Sequence, residues 1–226
     1  MKEFKDKVAL ITGAANGFGR EFVLEAARRG MKIAAADIEA AELETVCETA
    51  RSMGVPAAAI PTDVTRYEDV EHLVKVTMDT YGRIDLLIND AGVALLGNAW
   101  DLPVRDWEWI THANFLSHVY TMKLVIPIML KQNTPCHILN VASVAGMITS
   151  NGMPAYHATK HAAVALSESV SYDLQAIGAN IKVSVYCPGF VQTDLDHCER
   201  HRPEQYRDDS DPYYTGVAFR QGQAAA

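Results

Sequence analysis

Apolar and polar positions alternate along this chain with two different periods. Short, continuously apolar runs occur at KVALITG (7–13), MKIAAADI (31–38), AAAIPTDV (57–64), IDLLINDAG (84–92), HILNVAS (137–143) and IKVSVYCPG (181–189), and each predicts a strand. Between them, apolar residues recur every three or four positions over 17–29, 41–53, 66–81, 104–131 and 154–177, which predicts helices. A strand that is apolar along its whole length has both faces buried, and strands that alternate with helices form a parallel sheet covered on both sides. The expected fold is therefore a single α/β domain over 1–226, three layers thick, with a doubly wound parallel sheet. Pro127 lies inside the longest helical segment and predicts a bend there, because it has no N–H and crowds the preceding turn. After 191 the pattern stops. QTDLDHCERHRPEQYRDDSDPYY (192–214) is polar, and nothing beyond it reads as a strand.

Composition narrows the function classes. A chain of 226 residues suits one domain with a sizeable core. A formal net charge of −8 argues against a nucleic-acid surface, which needs a basic face. No basic run adjoins an apolar stretch and no apolar segment reaches spanning length, so no membrane partner is expected. The N-terminus runs directly into a strand without the apolar core of a signal peptide, and the expected location is cytoplasmic. Cys47, Cys136, Cys187 and Cys198 show no CxxC spacing and read as free thiols of a reducing compartment. Cys187 is expected to face the core. His197 and His201 stand one helical turn apart, but no carboxylate or thiol completes a ligand set; they read as solvated, and no metal is expected.

Two stretches carry chemistry. TGAANGFG (12–19) follows the first strand and opens the first helix. Gly13, Gly17 and Gly19 allow a tight turn and close approach of a phosphate, and the helix N-terminus supplies free N–H groups and partial positive charge. The plain alternative is an ordinary strand-to-helix turn. Asp37 ends the second strand, where a carboxylate can accept from adenosine ribose hydroxyls and repel a 2′-phosphate. No Lys or Arg in the glycine turn offsets that repulsion, which favours NAD over NADP. Asp37 also fits a helix-capping role. Asp63, at the end of the third strand, has the same two readings, with adenine contact as the functional one.

The second stretch is YHATK (156–160). Tyr156 and Lys160 are one helical turn apart and rise from one face. A free phenol has a pKa of ~10, and a neighbouring ammonium favours the phenolate. A general acid–base works best when its pKa approaches the working pH. Ser143 ends the fifth strand, and in a parallel sheet ligands bind beyond the carboxyl ends of the strands. Ser143, the glycine turn and the start of the Tyr156 helix should meet at that edge. Taken singly, Tyr156 and Lys160 also fit an exposed pair, Ser143 a turn cap, and Asn114 a helical side chain bonded to backbone.

Together these motifs resemble the short-chain dehydrogenase/reductase family over residues 5 to about 195. TGAANGFG is similar to that family's TGxxxGxG cofactor turn, Asp63-Val64 to its adenine-contacting pair, and Asn114, Ser143, Tyr156 and Lys160 to its catalytic tetrad. Pro188-Gly189 and Thr193 resemble the segment that closes over the nicotinamide. The resemblance implies a Rossmann-like fold and NAD as cofactor. It implies cofactor contacts at Gly13, Asn16, Gly17, Phe18 and Gly19 of the turn, and at Asp37, Ile38, Asp63 and Val64. Further contacts are implied at Asn89, Ala91 and Gly92, at Tyr156 and Lys160, and at Pro188, Gly189, Val191 and Thr193. Tyr156 would be the acid–base and Lys160 would bind the nicotinamide ribose and lower the tyrosine pKa. Ser143 would hold the substrate oxygen, and Asn114 would help maintain a proton relay through water. Residues 192–226 would be a mobile substrate-loop region. The family's seventh strand is not found. A homodimer or homotetramer through helices 104–131 and 154–177 is also implied.

Residues 145–155 and the segment after the fourth strand should border the substrate. Ala145, Met147, Met153, Leu95 and, beside it, Leu96 make that region apolar, with Ser143 and Tyr156 at its reacting end. Trp107 and Trp109 read as packing residues. A small-molecule secondary alcohol or ketone on an apolar frame is expected, with a hydroxysteroid or cyclic alcohol as one case and an aliphatic chain as another. The family usually has NNAG where this chain has NDAG. Asp90 lacks an amide donor and is expected to be slightly costly to stability without breaking the fold. Two rival readings remain. One is a 3-oxoacyl thioester reductase, against which Asp37 weighs because that reduction commonly uses NADPH. The other is a non-catalytic dinucleotide-binding sensor, against which the intact Ser143, Tyr156 and Lys160 weigh.

Overall fold

The computed structural model describes residues 3–191 and 193–207; the expectations for 208–226 lie outside the described residues. Strands β1 (Val8–Thr12), β2 (Lys32–Asp37), β3 (Ala57–Pro61), β4 (Leu86–Asn89), β5 (Cys136–Val141) and β6 (Ile181–Tyr186) alternate with helices. The helices are α1 (Gly17–Arg28), α2 (Ala40–Ser52), α3 (Tyr67–Tyr81), α4 (Val104–Thr111), α5 (Ser117–Gln132) and α6 (Pro154–Ala176). The sheet is wholly parallel, in the order β3-β2-β1-β4-β5-β6. This is the doubly wound, Rossmann-like arrangement expected from the sequence. The chain winds outward from β1 to β3 and then restarts at β4 on the other side of β1. The crevice of such a sheet opens where the winding reverses, beyond the ends of β1 and β4.

Alternation along the strands separates two cores. Ala9, Ile11, Ile33 and Ala35 pack with Val23 and Ala27 of α1 and with Leu43, Val46 and Ala50 of α2. Leu10, Ala34 and Ala36 face the other way, toward Leu73 and Val74 of α3, Met122, Val125 and Met129 of α5, and Leu174 of α6. Burying these side chains on both faces is the main stabilising term, at about 25 cal/mol per Å² of apolar surface. β6 is the sheet edge; its Lys182, Ser184 and Tyr186 are exposed, and no seventh strand occurs among the described residues.

Three expectations need correction. The long segment is interrupted at a π-helical turn, His112–Leu116, and not at Pro127, which sits inside α5 without ending it. Such a turn inserts one extra residue per turn, and these irregularities are frequent at functional sites; this one carries Asn114. The stretch Val104–Gln132 does have the length and apolar composition of a membrane span. It is instead a core helix, with Met122, Val125 and Met129 packed against α3 and the sheet. Cys187 is half-buried, whereas Cys47, Cys136 and Cys198 are buried, and all four are free thiols.

Candidate active site

The glycine turn is held from below. Thr12, the last residue of β1, accepts from the backbone N–H groups of Asp90 (3.1 Å) and Ala91 (3.3 Å), joining the ends of β1 and β4. Gly13 has a φ of +68° and Gly17 of +52°, the left-handed region that favours glycine. A Cβ on Gly13 would lie 2.7 Å from the Ala91 nitrogen, and one on Gly19 would overlap the Gly13 carbonyl. Gly13 and Gly19 therefore leave no space for a side chain, whereas a Cβ on Gly17 would only touch the Thr193 side chain at 3.6 Å. The side chain of Asn16 makes no capping bond to the N–H groups at the start of α1; its Nδ2 donates to Glu39 Oε2 at 2.6 Å. We expect Gly19→Ala to lose dinucleotide binding and to lower stability by about 1–3 kcal/mol, the usual cost of overpacking; thermal melts with and without NAD check this.

Asp37 serves local structure and the crevice together. Its Oδ2 accepts from Ala15 N–H (2.9 Å) and its Oδ1 from Glu39 N–H (3.0 Å), pinning the glycine turn to the β2–α2 connection. Burial raises its carboxyl above the ordinary range, and these two backbone bonds work against that rise. Asp63 Oδ1 accepts from the N–H (2.9 Å) and hydroxyl (2.7 Å) of Thr65, a local turn. Both carboxylates line the crevice, as do Ile38 and Val64.

Ser143, Tyr156 and Lys160 reach the same crevice from β5 and α6. Ser143 accepts from Ala145 N–H at 3.1 Å and caps the short 3₁₀ helix Val144–Gly146. Burial pushes the Tyr156 phenol up, and a hydrogen bond with Ser143 pulls it partly back. The expected lowering by Lys160 is therefore not the balance found in the protein by itself. The Lys160 Nζ lies 5.6 Å from the centre of the Tyr156 ring and donates to the Val141 carbonyl at 3.1 Å. Burial brings Lys160 down to about 8, against an upward pull from Asp90. Asn114 is fully buried behind this wall. Its Oδ1 accepts from Val93 N–H (2.7 Å), and its Nδ2 donates to the Val93 carbonyl (2.8 Å) and Thr159 Oγ1 (3.2 Å). Both amide hydrogens are thus engaged, and the side chain braces the loop after β4 against α6.

Most of the cofactor contacts expected from sequence gather in one crevice. Gly13, Asn16, Gly17, Phe18, Ala91 and Gly92 line it at the turn, and Pro188, Gly189, Val191 and Thr193 line it from the β6 end. Gly19 and Asn89 do not line it. Gly19 packs under Gly13, and Asn89 is buried, donating to Asn140 Oδ1 (2.8 Å) and accepting from Thr121 (2.8 Å). The substrate expectations divide. Ser143 and Tyr156 line the crevice, whereas Leu95 and Ala145 are buried in an adjoining apolar cluster that Met153 packs against. Met147 points to solvent at 67% exposure, and Leu96 is also exposed. His157, given no role from sequence, pins this loop: its Nδ1 bonds the Ala145 carbonyl (2.9 Å) and its Nε2 accepts from Ser150 N–H (3.0 Å).

The segment after β6, expected from the resemblance to close over the nicotinamide and border the substrate, forms a cover whose docking contacts the sequence did not reveal. It contains 3₁₀ helices Asp194–His201 and Glu204–Tyr206. Cys198 donates to the Ala94 carbonyl (3.1 Å), and Arg202 stacks 4.1 Å over Trp109 while pairing with Asp106 (2.8 Å) and Glu199 (2.6 Å). Arg200 meets Glu39 at 3.1 Å, and His201 Nε2 accepts from Arg200 at 2.8 Å, so His201 is half-buried within the cover, not solvated. No metal-binding cluster occurs among the described residues. Trp109, Leu195, Cys198 and Pro203 line the crevice near Tyr156. Trp109 is a packing residue as expected, and in addition it is the platform for the cover.

The fit to a dinucleotide rests on this geometry: a turn that a Cβ would fill, a helix N-terminus, and a carboxylate at the ribose end. Comparison with known proteins agrees. A family model described as short chain dehydrogenase matches residues 7–204. A CLA biosynthesis dehydrogenase/reductase of Lactiplantibacillus plantarum is 51% identical over 226 residues, covering 100% of this chain and 79% of that protein. A short chain dehydrogenase/reductase from Burkholderia phymatum, solved with NAD, superposes with a TM-score of 0.93 at 37% identity, over 99% of this chain and 80% of that one. A 3-ketoacyl-(acyl-carrier-protein) reductase from Brucella melitensis, solved with NADH, gives 0.80 at 28% identity, over 85% and 79%.

Proposed function

Because this chain belongs to the short-chain dehydrogenase/reductase family, and so to the NAD(P)-dependent oxidoreductases, we propose that it is an NAD-preferring dehydrogenase of apolar secondary alcohols, acting reversibly on the corresponding ketones. The observation that carries this is the convergence of Ser143, Tyr156 and Lys160 on the crevice that also holds the glycine turn and Asp37. The dinucleotide supplies the hydride acceptor or donor. The chain's own residues handle the proton. Ser143, which acts on the Tyr156 phenol from beside it, holds the substrate oxygen there. Tyr156 takes the hydroxyl proton in oxidation and returns it in reduction. Lys160 places a positive charge next to the phenol, which favours the phenolate form that oxidation needs. Asn114 fixes the loop that shapes this corner.

Asp37 supports NAD, since a 2′-phosphate at the ribose end would meet its carboxylate. The walls near Tyr156 support an uncharged, apolar substrate: Val93, Trp109, Ala113, Leu195 and Pro203 carry no charge. A 3-ketoacyl-(acyl-carrier-protein) reductase of this fold has been solved in complex with NADH. Asp37 therefore no longer argues against that reading, and a 3-oxoacyl thioester belongs in the substrate panel. The test follows absorbance at the reduced-nicotinamide band with NAD or NADP and a panel of hydroxysteroids, cyclic alcohols, aliphatic secondary alcohols and the thioester. We expect turnover with NAD, and at least roughly 100-fold lower kcat/KM with NADP, the scale of about 2.7 kcal/mol of charge repulsion. Turnover with NADP alone would overturn the role of Asp37. Tight NAD binding without turnover on any substrate would favour a sensor.

A further inference from the structure

We propose that Asp90 takes up a proton when a dinucleotide pyrophosphate settles on the glycine turn, so that cofactor affinity is tied to pH. This rests on the reading of that turn as the pyrophosphate seat. Asp90 directly follows β4 and lines the crevice. Its carboxylate lies against the first turn of α1, where Gly19 N–H favours the charged form, and its Oδ2 lies 2.9 Å from where a Cβ on Gly19 would stand. Its backbone N–H is held by Thr12 at 3.1 Å, which fixes the chain at this position. An anion thus already stands at the helix end whose N–H groups and dipole attract a phosphate. A second anion brought to the same end repels it, and protonation relieves that repulsion.

The surroundings leave Asp90 poised for this. Lys160 of α6 favours the carboxylate, Asp37 of β2 opposes it, Gly19 of α1 offers its N–H, and burial is the largest influence, bringing the group up to about 7. From β1, Thr12 presents only a hydroxyl. Asn, the usual family residue here, cannot take up a proton.

Calorimetric titration of NAD into the protein at pH 7.5, in buffers of different ionisation enthalpy, measures proton uptake directly. A shift of one unit or more on binding corresponds to roughly half a proton taken up, and to a Kd that weakens by up to about tenfold between pH 6.5 and 8.5. In Asp90→Asn the uptake should fall clearly and the Kd should vary less across that range, with Lys160 left as the group that titrates near 8. Binding without uptake, or uptake that is undiminished in Asp90→Asn, would overturn the proposal while leaving the seat intact. No binding of either NAD or NADP would overturn the seat and the proposal together. A second readout needs no cofactor. A carboxyl raised from 3.8 to about 7 favours the folded state at acid pH, and that advantage is lost as pH rises through about 7. The melting temperature of Asp90→Asn should therefore gain on the wild type from pH 5 to pH 8.5. A constant difference would mean that Asp90 does not titrate there.

Discussion

Tyr156→Phe is expected to lower kcat/KM for alcohol oxidation by roughly 10²- to 10⁴-fold, the contribution of a positioned acid–base, with NAD affinity and melting temperature close to wild type. The ring of Tyr156 is buried in the apolar cluster with Val93, Trp109 and Ala155, and a phenyl group keeps that packing. Only the hydroxyl on which Ser143 acts is lost. The pH dependence has a definite sign. Burial holds the phenol above its ordinary range, so it is protonated through neutrality. Oxidation, which needs the phenolate, should therefore speed up as pH rises. Reduction, which needs the phenol, should not gain over the same range. Lys160 loses its ammonium through about 8, so the help it gives the phenolate is confined to lower pH. Tyr156→Phe retaining turnover within about tenfold would remove Tyr156 from its role.

What could be read from sequence follows the range of the interactions. Strands and helices were legible because their hydrophobic periods are local. The glycine turn and the Tyr156–Lys160 pair were legible because their geometry spans a few residues. The side on which an apolar residue packs was not legible from its type: Leu95 lies in the core, and Met147 faces water. Asn114 was found, but its bonds to Val93 and Thr159 depend on how the π-helical turn meets the loop after β4 and α6. Pro127 looked like the break in the long helix because proline is the strongest local signal. The break belongs instead to Asn114, where tertiary bonds compensate for the irregular turn. How the cover docks was hidden for a similar reason. A polar segment suggests solvent, yet Arg202 is buried at 3% exposure because Asp106, Glu199 and the Trp109 ring meet it.

Arg202→Met carries the other large expected effect. The substitution keeps an apolar stem over Trp109 and removes the guanidinium that joins Asp106 on α4 to Glu199 within the cover. Removing one partner of a buried ion pair typically costs about 3–5 kcal/mol. Borne by the whole fold, that would lower the melting temperature by roughly 6–20 °C for a chain of this size. The structure provides a smaller unit to bear it. Neither sheet core includes a residue of 193–207; the cover's buried apolar contacts are to the Trp109 cluster through Cys198 and Tyr206, and its other contacts include polar ones to Glu39, Thr65 and Asp106. Undocking the segment returns Asp106 to water and leaves β1–β6 unchanged, and regions of low local stability open in this way. We expect the main melting transition to move by only a few degrees. Cleavage by trypsin at Arg200 and Arg207 should become much faster, and Trp109 fluorescence should shift to the red. The KM for NAD should rise about tenfold or more, with a smaller fall in kcat, because Thr193, Leu195, His201 and Pro203 close one side of the crevice. A large cooperative loss of melting temperature without faster cleavage would show that the cover folds as one unit with the sheet. Unchanged cleavage, melting and KM would show that Arg202 does not hold the cover at all.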